Sequence, residues 1–312
     1  MTACTDWFRD AKWGVFTHYL DSPASHSKPS PTDADTWNRR VDSFDVKAFA
    51  GQLESVGARY YFITLGQNSG HYCAPNSTYD SIVGRHPSLC SKRDLILDLH
   101  AALAPKGIRL MAYLSNSAPQ QDALAVERLE QKLGNYRNVE FQRKWEAVIR
   151  EWSLRWGSKV SGYWIDGCYH ADAMYRHVEA PNWGSFAGAL KAGNPDSIVA
   201  FNPGVKIPVI RHCEYDDYTA GELTGDLPLG TCGGEGKWPY GPIQRFVDGA
   251  QYHVLNFLGD WWGQGEPRFP DELVAGYTRY INLQEGVVTW DVPISGEGRL
   301  PEAFLSQLGK LG

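Results

Sequence analysis

Val160-Ser161-Gly162-Tyr163-Trp164-Ile165-Asp166-Gly167 is the stretch on which the reading of this chain turns. It is a short apolar run that ends in a carboxylate and a glycine. Val160, Tyr163, Trp164 and Ile165 suit a buried β-strand, and Gly167 permits a sharp exit from it. A carboxylate at the last position of a buried parallel strand faces the rim where α/β sheets bind ligands. The same aspartate also fits a helix N-cap at a β–α junction. The flanking chain has to separate the two.

Outward from that stretch, strand and helix patterns alternate. Strands are predicted at Trp13 to His18, Ala58 to Leu65, Ile108 to Leu114, Val160 to Asp166, Ser197 to Asn202, Cys213 to Tyr218, Tyr252 to Leu258 and Val287 to Val292. Helical spacing is predicted at Val46 to Val56, Arg93 to Leu103, Trp183 to Ala192, Ile243 to Gly249, Pro270 to Leu283 and Pro301 to Leu311. A longer helical region, Asp122 to Trp156, is broken near Gly134-Asn135. Eight strands alternating with helices predict an α/β fold, a (β/α)8 TIM-like barrel. A doubly wound sheet is the second reading, but no glycine-rich dinucleotide loop follows the first strand. No internal repeat or linker divides the chain. The expectation is one domain over residues 1–312, with no room for a C-terminal β-sandwich.

Composition narrows the function classes. The 312 residues are 43% hydrophobic and carry a net charge of -6, without a basic stripe, which argues against nucleic acid as a partner. No apolar run is long enough to span a membrane. The six cysteines (Cys4, Cys73, Cys90, Cys168, Cys213, Cys232) are scattered, with no close CxxC pair. That fits reduced thiols better than a disulfide frame or a zinc site. With no basic-then-apolar segment at its start, the protein is expected to be cytoplasmic, where the Asn76 sequon has no meaning. Aromatic residues make up 13% of the chain, with 12 Trp. They suit either flat walls for sugar rings or an ordinary aromatic core.

The strand ends of a barrel meet at one mouth. Here they bring His18, Gln67 and Asn68, Tyr113 with Ser115 and Asn116, Asp166, Asn202, the run from Asp216 to Glu222, Asp260 with Trp261 and Trp262, and Asp291. This mouth has no lysine for a Schiff base and no anion nest for a phosphate. His18, His71, Asp166 and Glu222 are conceivable metal ligands, but no HxH or HExxH pair supports them, so no metal is assigned. Two carboxylates across an aromatic cleft fit glycoside hydrolysis. Asp166, on a rigid strand end, is the expected nucleophile. Glu222, in a glycine-bearing loop, is the expected acid/base. Carboxylates carry both proton transfer and attack, so no cofactor is needed.

At these residues the sequence resembles glycoside hydrolase family 29, the retaining α-L-fucosidases. Trp7-Phe8-Arg9-Asp10-Ala11-Lys12-Trp13-Gly14-Val15-Phe16-Thr17-His18 is similar to the family's opening Trp-Phe-x-Asp-Ala-Lys-Phe-Gly-Ile-Phe-x-His. The resemblance makes His18 a sugar-binding histidine, Asp166 the nucleophile and Trp164 its neighbour beside the sugar. Asp217-Tyr218-Thr219-Ala220-Gly221-Glu222 is similar to a segment that carries the acid/base in some members. Acid/base positions vary in the family, so Glu235 and Glu214 stay open. The sugar grip departs from the pattern. Where the family has Lys-His-His-Asp-Gly-Phe, this chain has Gln67-Asn68-Ser69-Gly70-His71-Tyr72. Where it has His-Trp-Gly and Glu-Trp, this chain has His18-Tyr19-Leu20 and Thr36-Trp37.

The expected activity is that of a retaining exo-glycosidase of fucosidase type, acting on a small glycoside or oligosaccharide. Its substrate-binding set is His18, Trp37, Gln67, Asn68, His71, Tyr113, Trp164, Asn202, Trp261 and Asp291. Two alternatives come from other classes: an inactive carbohydrate-binding barrel, and a metal-assisted isomerase or hydrolase on the same fold.

Overall fold

The computed structural model describes residues 3–311, apart from 23–29, 133, 135 and 232–240. Seven parallel strands form one curled sheet: β1 (Trp13–Thr17), β2 (Tyr60–Thr64), β3 (Arg109–Ser115), β4 (Gly162–Asp166), β5 (Ile198–Phe201), β6 (His253–Phe257) and β7 (Val287–Asp291). Their spatial order is β6-β7-β1-β2-β3-β4-β5. Every residue of β1, β2, β5, β6 and β7 is buried. Strands covered on both faces read as continuous apolar runs, which is why they were legible.

The inner face packs Phe16, Phe62, Met111, Tyr113, Trp164 and their neighbours against one another. The outer face packs against the helices Val46–Ser55, Leu95–Leu103, Val139–Trp156, Trp183–Leu190 and Asp271–Leu283. At the N-terminal end of the strands, the short helix Asp6–Ala11 inserts Phe8. That ring lies 4.9 Å from Tyr60 and 5.0 Å from Tyr218 and forms the floor of the inner core. Gly14 in β1 makes room for Tyr60: a Cβ there would lie 2.4 Å from that ring.

Two elements differ from the sequence prediction. Cys213 to Tyr218 is not a strand. Residues 217–223 do run beside β6, through Thr219 N to Gln251 O (3.0 Å), Leu255 N to Gly221 O (2.8 Å) and Leu223 N to Leu255 O (2.9 Å). Toward β5 the ladder is made mostly by side chains instead. The Asp216 carboxylate accepts from Phe201 N at 2.8 Å, and the Asp217 carboxylate from Val199 N at 2.9 Å. Two aspartates have displaced backbone carbonyls as acceptors, so the backbone does not extend as a strand. Where a (β/α)8 barrel is expected, the described residues form an α/β fold with a curled seven-stranded parallel half-barrel sheet, short of the full barrel. The helix predicted over Ile243 to Gly249 is instead a hairpin that pairs Phe246–Val247 with Ala250–Gln251. Its turn has Asp248 at φ 48° and Gly249 at φ 85°, the signature of a two-residue hairpin turn.

Candidate active site

Asp166 ends β4 and is surrounded by donors. Its Oδ1 accepts from Gly167 N at 2.7 Å, Asn202 Nδ2 at 2.9 Å and the Tyr169 hydroxyl at 3.3 Å. Its Oδ2 accepts from the Tyr113 hydroxyl at 2.6 Å. Such a shell fixes the orientation of the carboxylate. Gly167, at φ 85°, turns the chain sharply so that its own N–H reaches back to Asp166.

Glu222 is delivered by the segment beside β6. Gly221 precedes it at φ 61°, where a Cβ would lie 2.0 Å from the His253 carbonyl oxygen, so only glycine lets the chain pass. Glu222 Oε2 accepts from Asn202 Nδ2 at 2.7 Å. Asn202 Nδ2 therefore touches both acids. The two contacts of 2.9 Å and 2.7 Å, laid end to end, cap the separation of those carboxylate oxygens at 5.6 Å. Burial, and then the charge of Asp166, push the Glu222 carboxyl up to about 7 from its usual 4.5, against the pull of the Asn202 amide and His18. One acid is thus held as an acceptor of hydrogen bonds, and the other retains a proton near neutral pH.

A second pair stands across the mouth. His18 Nδ1 meets Asp291 Oδ1 at 2.9 Å. Asp291 Oδ2 accepts from Gly263 N at 2.5 Å. Burial raises the Asp291 carboxyl, and His18 opposes that rise. The His18 ring lies 5.8 Å from Trp262 and 5.9 Å from Tyr113.

Gln67 donates to the Tyr113 hydroxyl at 2.7 Å, and so reaches Asp166 through one intermediate. Its Oε1 is buried and has no hydrogen-bond partner among the described residues. Trp164 stacks on Tyr113 at 5.5 Å beneath the mouth, and its indole N–H is taken by the Ala220 carbonyl at 2.9 Å.

Other expected site residues lie apart. Trp37 and His71 meet edge to face at 5.7 Å. The Trp37 indole donates to the Tyr72 carbonyl, and His71 is engaged by Ser69 and the Thr32 carbonyl, each at 3.1 Å. The Asn68 carbonyl accepts from Gln121 N. Trp261 is half exposed and leans on Phe257, whereas Trp262 faces His18. The reserve acid Glu214 is exposed in an ion pair with Arg176 at 3.0 Å. Glu235 lies outside the described residues. His18, His71, Asp166 and Glu222 do not converge, and no group of three or more metal-ligating side chains exists among the described residues. Tyr169 was missed by the sequence reading, although it stands only three residues past Asp166.

The sequence profile described as Alpha-L-fucosidase matches residues 34–222, more than half of the chain. It begins after the opening motif at Trp7 to His18. No curated protein matches the chain in sequence. Solved structures share the fold at low identity. Endo-fucoidan hydrolase MfFcnA4 from glycoside hydrolase family 107 superposes with a TM-score of 0.71 at 16% identity, covering 98% of this chain. This chain spans only 53% of that longer protein. The alpha-L-fucosidase AlfC, in complex with 4-nitrophenyl-a-L-fucopyranoside, gives 0.64 at 14% identity over 98% of this chain and 95% of its own. Alpha-L-fucosidase isoenzyme 1 from Paenibacillus thiaminolyticus gives 0.61 at 15%, over 98% and 74%. On the extent of the profile match, the chain belongs to the alpha-L-fucosidase family.

Proposed function

We propose that this chain is a retaining exo-glycosidase of α-L-fucosidase type, working by double displacement. Asp166 attacks the anomeric carbon and forms a glycosyl ester. Glu222 first gives its proton to the leaving oxygen and then takes one from the incoming water. The observation that supports this reading is the shared Asn202 amide, whose two contacts cap the separation of the carboxylate oxygens it bridges at 5.6 Å, short of the ~6.5–9.5 Å of inverting enzymes. The scaffold is a (β/α)8-type barrel in which residues 217–223 stand where a further strand would be. Neither step calls on a cofactor. Five free thiols among the described residues, four of them buried, support a cytoplasmic setting.

His18 and Gln67 are the groups best placed to hold sugar hydroxyls, with Asp291 orienting the imidazole. His71 points elsewhere, and Asn68 and Ser69, which stand where the resembled family has its imidazole pair, carry no charge. A hydroxyl without its designed partner costs ~1–3 kcal/mol. Simple aryl α-L-fucosides are therefore expected to be turned over with kcat/KM below about 10⁴ M⁻¹s⁻¹. The test is the stereochemistry of the first-formed product, followed by NMR on an aryl α-L-fucoside. The α-anomer is expected. The β-anomer would replace the double displacement with a single inverting step.

A further inference from the structure

Gln67 follows β2 in the loop where the resembled family has a lysine. The exchange replaces an ammonium, which only donates, by an amide, which donates and accepts. The amide is buried, with Gln67 8% exposed. Its Nε2 donates to the Tyr113 hydroxyl at 2.7 Å. Its Oε1 has no hydrogen-bond partner among the described residues. A buried acceptor left unpaired costs stability, so a native site that keeps one calls for a reason.

At the other end of this chain of bonds stands Asp166. Each oxygen of a carboxylate offers two lone pairs. Oδ1 is met by three donors, Gly167 N at 2.7 Å, Asn202 Nδ2 at 2.9 Å and the Tyr169 hydroxyl at 3.3 Å, so neither of its lone pairs is left over. Among the described residues Oδ2 accepts from Tyr113 alone, at 2.6 Å. Oδ2 therefore keeps the lone pair for attack. In the first displacement that pair forms the bond to the anomeric carbon. The bond from that carbon to the leaving oxygen breaks with its electron pair, and Glu222 protonates that oxygen. Oδ2 is then the bridging oxygen of an ester, without charge and a poor acceptor, while Oδ1 is the ester carbonyl and keeps its donors. Tyr113 loses its acceptor in this step. The phenol is 2% exposed and cannot turn to water. Among the described residues its hydroxyl bonds only Asp166 and the Gln67 amide.

We propose that the Gln67 amide turns over between the two displacements, so that the Tyr113 hydroxyl donates to Asp166 Oδ2 in the free enzyme and to Gln67 Oε1 in the glycosyl-enzyme. Gln67 is thus a positioning residue that acts through Tyr113, and its role rests on the double-displacement reading. A half-turn of an amide exchanges its oxygen and nitrogen at nearly the same places. Oε1 arrives where Nε2 sits, 2.7 Å from the phenol oxygen. The turn breaks no hydrogen bond of Oε1, which has none among the described residues. A lysine at this position could not accept from Tyr113.

The test uses 2-deoxy-2-fluoro-α-L-fucosyl fluoride, whose fluorine beside the anomeric carbon slows both steps so that the ester accumulates. It is applied to the full chain and to Gln67→Met, which keeps the side-chain length and removes both amide atoms. Melting temperatures check that the variant folds. Loss of the acceptor destabilises the ester alone. Its formation should therefore slow by roughly five- to tenfold, and its release in buffer should quicken by a similar factor. A residue that only orients Tyr113 serves both steps alike, so release that fails to quicken overturns the turning amide. The wild type gives a second measurement that needs no variant. A crystal structure of the trapped ester should show the sugar on Oδ2, and a sugar on Oδ1, which leaves the Tyr113 bond to Oδ2 intact, overturns the proposal. Peptide mass analysis separates the two readings. A label on Asp166 together with either contrary result overturns the role of Gln67 alone. A label elsewhere, or none, overturns double displacement at Asp166 and the role of Gln67 with it.

Discussion

Tyr113 donates its hydroxyl proton to Asp166 across 2.6 Å, while its ring stacks on Trp164, two residues before Asp166 on the same strand. Burial and the Asp166 charge hold the phenol far above its ordinary pKa, so it remains a donor throughout the working range. Replacing Tyr113 by Phe keeps the stack and removes one charge-assisted bond, worth ~1.5–3 kcal/mol. The expected result is a fall in kcat of roughly 10- to 100-fold with little change in KM. Gln67→Ala acts one bond further away and should cost less. Steady-state kinetics on one aryl glycoside measure both, and an unchanged kcat in Tyr113→Phe would remove Tyr113 from the chemistry.

The two acids should fail differently. Asp166→Ala should abolish turnover even with good leaving groups. Glu222→Ala should spare substrates with acidic phenols, which need little protonation. Azide should rescue the Glu222 variant and give a glycosyl azide of retained configuration. If Glu235→Ala or Glu214→Ala shows that rescue and Glu222→Ala does not, the acid/base lies on another loop.

In the proposed double displacement Glu222 has to be protonated when the leaving group departs, and burial with the charge of Asp166 pushes its carboxyl up to about 7. The kcat/KM profile should therefore fall as pH rises through about 7. Glu222→Gln should lose that limb together with most activity on poor leaving groups. Stability follows the same sign. The folded value is raised above the ordinary 4.5, so protonation stabilises the native state below 4.5, and that contribution is lost as pH rises toward about 7. Denaturant titrations at several pH values should show the native state of the wild type losing ground across this window, with a flatter profile in Glu222→Gln.

Asp216 accepts from three backbone N–H groups, those of Phe201 at 2.8 Å, His212 at 2.8 Å and Cys213 at 2.7 Å. Asp216→Ala strands all three in a buried site. A loss of roughly 2–4 kcal/mol in unfolding free energy is expected. Activity should fall too, because Asp216 tethers the segment that carries Glu222. Asp216→Asn keeps one acceptor and should be milder on both counts. A fully stable Asp216→Ala protein would show that water or backbone carbonyls take over these donors.

Some of this was legible in the chain and some was not, for identifiable reasons. Strands such as Tyr60–Thr64 and Gly162–Asp166 are covered on both faces, so their apolar runs were plain. The helices Ala123–Arg128 and Val139–Trp156 were readable as a helical region broken near Gly134. The chain around Asp216 and Asp217 was not, because its bonds toward β5 are made mostly by side chains, which periodicity does not register. The hairpin at Phe246 to Gln251 carried its own signal in Asp248-Gly249, which the helical spacing around it obscured. At the site, Asp166, Asn202, Glu222, Gln67 and Tyr113 were brought together, and His18 was joined to Asp291. Trp37 and His71 look alike on paper to sugar contacts, yet in the fold they bond Tyr72 and Thr32. Only tertiary packing decides which way an aromatic ring faces.

The aspartate pair between β5 and the Glu222 segment has one more consequence. A backbone ladder is indifferent to which residues form it, so strand pairing elsewhere in the sheet survives almost any substitution that keeps the chain extended. At this seam the joint is written in side chains, in Asp216, Asp217 and the Lys191 ammonium that meets Asp217 at 2.7 Å. The alignment of the Glu222 segment is thereby exposed to point mutation in a way that the other strands are not. Descendants of this sequence could shift their proton donor by altering two residues here while the rest of the sheet keeps its register. Hydrogen exchange would read the difference directly, since the Val199 and Phe201 amides owe their protection to carboxylates.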